Sequence, residues 1–284
     1  MLKNYLGCFF LLLIGLLIAV PATAAEDCVA LRKGVKAEMD LQKRRQLVAD
    51  WVVKCPDDPM ANYKFGLSLE RYRKYNEALA HYRKATTLDP TMGNAFNGMG
   101  DIYIYLGQLD DALDAYQKAG ELLPGNSRAT SRLALLGAKK KALSGEVVSA
   151  DEFIAVMTEK EKVSTSTPLL LLGPALQYQL AFDGNRTKLQ PRGEKQLTAI
   201  GQALRNEALD GVRFEITAYV SDPGLSRQAA TERAQARAEL IKSLLTADYG
   251  IDPARMTLAW FGSPQPLSTG RDTLGSWVEI QRPN

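Results

Sequence analysis

The stretch DPMANYKFGLSLERYRKYNEALAHYRKATTLDP, residues 58–90, is followed without a gap by TMGNAFNGMGDIYIYLGQLDDALDAYQKAGELLP, residues 91–124. Laid over one another at an offset of 34 residues, Gly66, Ala78, Tyr82, Ala85 and Pro90 coincide with Gly100, Ala112, Tyr116, Ala119 and Pro124. A glycine in the first half and alanines in the second leave little bulk between two helices. Each copy is therefore expected to be an antiparallel helical hairpin with its helices in close contact. Tyr82 and Tyr116 should fill the gap to the following helix. Pro90 and Pro124 should end the second helix of each hairpin, because proline has no amide hydrogen and crowds the preceding turn. A single hairpin cannot bury its apolar face, so hairpins must stack.

This pattern resembles the tetratricopeptide repeat, with clear copies at 59–92 and 93–126 and an α-helical solenoid over residues 25–143. Such a stack presents a concave groove lined by the first helix of each hairpin, here Tyr63, Leu67, Glu70 and Arg71, then Asn97, Asp101, Ile104 and Tyr105. Aromatic and polar groups of that kind suit an extended peptide or a helix of a protein partner. The alternative is that two repeats merely space other parts of the chain. Run back by 34 residues, the frame puts a degenerate hairpin at 25–58. Cys28 lies near the start of its first helix and Cys55 just past the end of its second. Those ends are neighbours in an antiparallel hairpin, so a Cys28 to Cys55 bridge is expected in an exported chain. Leu47, Val48, Trp51 and Val52 form a stripe able to cover the first clear repeat, with Trp51 where the repeat prefers alanine. After Pro124, Ser127 to Leu143 reads as a closing helix with Leu133, Leu136 and Ala138 on its apolar side. Lys139 to Lys141 are expected as a solvated helix end, where cations suit the helix dipole.

The chain opens with Met1-Leu2-Lys3-Asn4, an apolar run from Phe9 to Val20 and small residues through Ala25, which describes a secretory leader cleaved after Ala24. The run falls short of the ~20 apolar residues of a membrane anchor, and Cys8 precedes it, unlike a lipidated cysteine. No membrane span is expected after cleavage. With 35 Lys and Arg against 32 Asp and Glu, the formal charge of +3 argues for no nucleic acid or other polyanionic partner. His81, expected at the surface, is the only histidine. With the other two cysteines bridged, no usual zinc site can form. The serines of the second half have no histidine to activate them. Neither a cofactor nor an enzymatic site is expected.

Ser144-Gly145 begins a linker over 144–167, with a short helix at Ala150 to Met157 and a polar loop at Ser164 to Pro168. From residue 168 to 284 the period changes. Tyr178, Leu180 and Phe182 alternate as a strand, and Pro191 can open a helix to Asn206 with Leu197, Ile200 and Leu204 inward. Val212, Phe214 and Ile216 alternate again, and Thr231 to Ala247 is a long helix with Ala234, Ala238, Ile241, Leu244 and Leu245 inward. Met256 to Trp260 and Trp277 to Gln281 supply two further strands. The order β-α-β-α-β-β gives a two-layer sandwich, so the chain is α+β with two domains.

Over residues 150–282 the chain also resembles the C-terminal domain of outer membrane protein A and of the peptidoglycan-associated lipoprotein. The residues that carry this are Phe182-Asp183, Leu189-Gln190-Pro191-Arg192-Gly193, Gly224, Arg237-Ala238 with Ile241 and Leu245, Gly250-Ile251, Arg255-Met256, Gly262-Ser263-Pro264-Gln265-Pro266 and Val278-Glu279-Ile280. The resemblance implies a non-enzymatic domain that binds the peptide stem of peptidoglycan, whose diaminopimelate end carries a carboxylate and an ammonium. Such a ligand needs an arginine and an aspartate in one pocket. Arg237 matches the arginine. The family's Gly-His-Thr-Asp is Ala218-Tyr219-Val220-Ser221 here, followed by Asp222. Strand alternation selects Ser221 for the aspartate position, and counting back from Arg237 selects Asp222. The family's Asn-Arg-Arg-Val is Gly275-Ser276-Trp277-Val278, so two arginines are missing, and a domain that kept the fold but lost the ligand is the alternative. Together the leader and the two resemblances imply a scaffold of the Gram-negative periplasm, at the cell wall or outer membrane, or else a protein-protein adaptor without wall binding.

Overall fold

The computed structural model describes residues 22–159, 173–183, 188–263, 267–268, 273–274 and 276–283, with the backbone alone at 22–26, 267–268 and 273–274. The apolar run Phe9 to Val20, the loop Ser164 to Pro168, Pro264 to Pro266 and Gly275 lie outside the described residues.

Seven helices form the N-terminal stack: α1 (Ala22–Ala37), α2 (Leu41–Lys54), α3 (Pro59–Arg71), α4 (Tyr75–Leu88), α5 (Gly93–Tyr105), α6 (Leu109–Leu122) and α7 (Ser127–Ser144). Asp58 caps α3 by accepting from the amides of Met60 and Ala61, with Pro59 in the first turn, and Asn126 caps α7 in the same way. Both hairpin turns pass through the left-handed region, at Arg73 in the first repeat and at Gly107 in the second. The close contacts follow the repeat frame. A Cβ on Gly66 would lie 2.8 Å from the Tyr82 ring, and one on Gly100 would lie 2.8 Å from that of Tyr116. Tyr82 also reaches the next repeat, where a Cβ on Gly98 would meet its ring at 2.5 Å. At the N-terminal end Val48, Trp51 and Val52 bury against Ala61, and Cys28 is bonded to Cys55.

The C-terminal end of the stack is not free. Ala129 and Leu136 of α7 belong to the repeat core, while Leu135, Ala138 and Ala142 belong to the core of the second domain. The lysine run is therefore not a uniformly solvated helix end. Lys140 reaches solvent beside Asp110 and Lys141 pairs with Glu152, but Lys139 is only 3% exposed and donates to the carbonyls of Gly173 and Ala175 at 2.8 and 2.7 Å. The cause is the second domain packed over that side of the helix.

Helix α8 (Ala150–Met157) starts with a reciprocal capping pair of Ser149 and Glu152. Expected within a linker, it instead buries Phe153, Val156 and Met157 completely in the second core. Two short 3-10 turns (Glu207–Leu209 and Pro253–Arg255) aside, the described elements that follow are β1 (Ala175–Tyr178), α9 (Pro191–Leu204), β2 (Phe214–Ser221), α10 (Arg227–Tyr249), β3 (Met256–Ser263), the short ribbon β4 (Leu267–Ser268) with β5 (Thr273–Leu274), and β6 (Trp277–Gln281). The main sheet has the order β1-β6-β2-β3. Strands β2 and β3 are parallel and joined through α10, as a parallel pair requires, and β6 is antiparallel to both β1 and β2. The first strand lies upstream of its expected place. Leu176 and Tyr178 are its inward residues, and past Tyr178 the amide of Gln179 turns to the Ala142 carbonyl of α7, leaving Phe182 in an isolated bridge with Leu189. Phe214, Ile216, Ala218 and Val220 of β2 face the helices. Glu215, Thr217, Tyr219 and Ser221 alternate onto the other face, where the Tyr219 ring stacks on Phe261 and Trp277 at 5.2 and 4.3 Å.

Candidate functional site

In the groove of the stack, the buried tyrosines of the second helices support the acids of the first helices from behind. The Tyr82 hydroxyl donates to Glu70 at 2.6 Å, and the Tyr116 hydroxyl donates to Asp101 at 2.5 Å. Asp101 also pairs with Arg128 of α7 at 2.7 Å. Burial raises the Glu70 pKa above the usual carboxylate value, opposed by the Tyr82 hydrogen bond and helped by the nearby charge of Asp101. Tyr63 lies against the Tyr82 ring at 5.9 Å, and Tyr105 packs on Tyr75 at 3.9 Å. Arg71 is exposed, whereas Asn97 is only 9% exposed and therefore more a packing residue than an open contact. His81 is not a solvated side chain. It is half-buried, with Nδ1 3.0 Å from the Asn62 side-chain oxygen and its ring edge-on to Phe65 at 4.8 Å, and burial lowers its pKa.

The second candidate region lies where β2 and β3 end against α10. Gly262 makes this approach possible, since a Cβ there would lie 2.1 Å from the Thr231 backbone nitrogen. Asp222 continues the ladder beyond β2 by donating its amide to the Ser263 carbonyl at 3.2 Å. Its carboxylate accepts from the Gly224 amide at 3.0 Å and from Arg233 at 3.1 Å. Arg233 and Arg237 stand one turn apart on α10. Arg237 is 5% exposed, with its guanidinium carbon 4.2 Å from the centroid of the Phe182 ring. Ser221 sits on the opposite face of the strand, and its amide donates to the Ser276 hydroxyl at 3.3 Å. The structure thus brings Asp222, and not Ser221, to the arginine row of α10. Arg233 was missed by the sequence reading, although its i, i+4 spacing from Arg237 places both on one helix face.

Among the described residues no group of three His, Cys, Asp or Glu side chains is placed to hold a metal ion, and no helix is long and apolar enough to cross a membrane. The tetratricopeptide repeat model matches residues 71–136, and the OmpA family model matches residues 181–275. The chain therefore joins a tetratricopeptide-repeat segment to an OmpA-like segment in an α+β, two-domain architecture. No curated protein sequence matches significantly. Among solved structures, the first repeat domain of Spaghetti (RPAP3) bound to an HSP90 peptide is 19% identical, with 39% of this chain and 91% of that chain covered and a TM-score of 0.36. MamA is 24% identical over 41% of this chain and 70% of its own, with a TM-score of 0.37. An O-GlcNAc transferase of Thermobaculum terrenum is 20% identical over 48% of this chain and 25% of its own, with a TM-score of 0.38.

Proposed function

We propose that this protein is an exported, non-enzymatic scaffold of the cell envelope. Its repeat module engages a protein partner through the groove, and its OmpA-like domain docks on the peptide stem of peptidoglycan in the periplasm. The observation that carries this reading is the convergence of Asp222 on the α10 row that holds Arg237. A zwitterionic diaminopimelate end would find an acid for its ammonium there, and in Arg237 a guanidinium able to hold its carboxylate with two hydrogen bonds. A second reading rests on a specific contact. Arg233 already neutralises Asp222, and the segment around Trp277 lacks two of the family's arginines, which favours an adaptor that uses both modules for proteins and leaves the wall alone. Co-sedimentation of the purified protein with peptidoglycan sacculi separates the two. The scaffold pellets with sacculi in a concentration-dependent way, and the adaptor stays in the supernatant.

A further inference from the structure

At the N-terminal end of the stack the repeat frame persists but its packing residues do not. At 34 residues before Gly66, Ala78, Tyr82 and Ala85 stand Arg32, Arg44, Val48 and Trp51. The regular hairpins place no bulk between their helices and a tyrosine across the gap to the next one. The first hairpin has arginines at both close-contact positions and only a valine where the tyrosine would be. The space left between α1, α2 and α3 is a cavity of about 480 Å³. That volume lies within the roughly 300 to 1,000 Å³ typical of ligand pockets. Val48, Trp51 and Met60 contribute its apolar floor.

The charges around it are of one sign. Arg32, Lys36, Arg44, Arg45, Lys64 and Arg71 line the cavity, and among the described residues no Asp or Glu does. Arg32 is answered by Asp58 at 3.2 Å, and Arg44 donates to the Glu38 carbonyl. Lys36, Arg45, Lys64 and Arg71 have no carboxylate within ion-pair distance among the described residues. Arg45 instead lies over the Tyr72 ring at 4.5 Å, and Lys64 over that of Tyr63 at 5.3 Å. Trp51 forms part of that floor and is itself only 1% exposed.

We propose that this cavity anchors an acidic peptide segment of a protein partner, with one bulky apolar side chain inside and flanking carboxylates on Lys36, Arg45, Lys64 and Arg71. The apolar floor is too extensive for a simple anion. Leu67 and Arg71 belong to both the cavity and the groove, so a chain running along the groove reaches the cavity without a break. This assignment rests on the reading that the repeat module binds a protein partner.

The test titrates three end-blocked heptapeptides into the purified protein by calorimetry: a leucine flanked by acidic residues, the same peptide with alanine for leucine, and a leucine flanked by lysines. The acidic leucine peptide should bind at least ten-fold more tightly than either of the others, and its affinity should fall as salt rises. Lys36→Glu with Arg71→Glu, both at exposed positions, should weaken it at least ten-fold with an unchanged melting temperature and unchanged co-sedimentation with sacculi. Equal binding of the leucine and alanine peptides overturns the proposal. So does binding of dodecanoate, an anionic amphiphile, in place of the peptides. Peptide binding that survives the double charge reversal overturns the cavity assignment and leaves the partner-binding reading standing. No binding of any peptide at millimolar concentration overturns this proposal, and the partner-binding reading falls with it only if a partner captured on the whole protein is also absent.

Discussion

The two ends of the helical stack are closed in opposite ways. At the N-terminal end the α1–α2 hairpin is stapled by Cys28 and Cys55 and lies over the first repeat with a cavity of about 480 Å³ beneath it. At the C-terminal end α7 gives one side to the repeat core and the other to the core of the sheet domain, with Phe153, Val156 and Met157 of α8 packed in that second core. Both ends meet the requirement that the last hairpin of a stack must not leave its apolar face in water. The difference lies in what each solution does to space. A covalent staple holds a cover in place without filling the volume below it, whereas at the fused end the pocket between α7, β1 and α9 holds only about 10 Å³. A site is therefore to be sought at the stapled end, and mechanical coupling between modules at the fused end.

The strongest test of that contrast removes packing at the fused end. Phe153→Ala should cost about 3 to 5 kcal/mol, read by chemical denaturation, because a fully buried aromatic leaves a cavity that its neighbours cannot close. The repeat and sheet signals should move together. A repeat transition that stays put while the sheet domain unfolds earlier would mean that α7 does not couple the two.

At the stapled end, Cys55→Ser should cost about 3 to 4 kcal/mol by the chain-entropy model, given a sequence separation of 27 residues. The damage should stay local, with faster amide exchange in α1 and α2 and none in α7. Free thiols at both positions in the unreduced protein, seen by mass spectrometry, would remove the staple from the account. Between the ends, Gly100→Leu should cost about 1 to 3 kcal/mol, since the added side chain meets the Tyr116 ring. Equal melting temperatures for this variant and the parent would contradict the packing register.

The most gradual effect, spread over several pH units, concerns Lys139 at the fused end. Burial lowers its pKa to about 7 from 10.5, and the charge of Glu279 opposes that shift. Above about pH 7 the folded chain holds Lys139 neutral while the unfolded chain still binds the proton. Stability should therefore rise with pH from about 7 to 10.5, by up to about 1.4 kcal/mol per pH unit. The contribution should be flat below about pH 7, where both states are charged. Lys139→Met should remove the rise, and a parent protein whose melting temperature falls steadily between pH 7 and 9 would contradict the assignment.

Most of the fold was legible because it rests on local periodicities. The 34-residue spacing carries the hairpins, and α8 and β6 occupy Ala150–Met157 and Trp277–Gln281, where their patterns stand in the sequence. What escaped was tertiary. Nothing within Ser127 to Ser144 tells that a second domain covers Lys139, and the first strand ends early only because Gln179 turns to a carbonyl of α7. The choice between Ser221 and Asp222 was open because two ways of counting disagreed, and the pleat of β2 decides which side chain faces α10. The cavity could have been read from the repeat frame, where Arg32 and Arg44 stand in the positions of Gly66 and Ala78. A single departure looks like degeneracy, and only the space that several of them leave together reveals a site.

Calorimetric titration of a diaminopimelate-containing muropeptide into the whole protein puts to the test the proposed docking of a cell-wall stem at Asp222 and Arg237. The muropeptide should bind measurably, with Ser221→Ala leaving binding unchanged and Asp222→Ala and Arg237→Ala abolishing it, since losing one partner of a desolvated charge pair costs about 2 to 5 kcal/mol. No binding by the unaltered protein at millimolar ligand, or binding that survives Arg237→Ala, would contradict it.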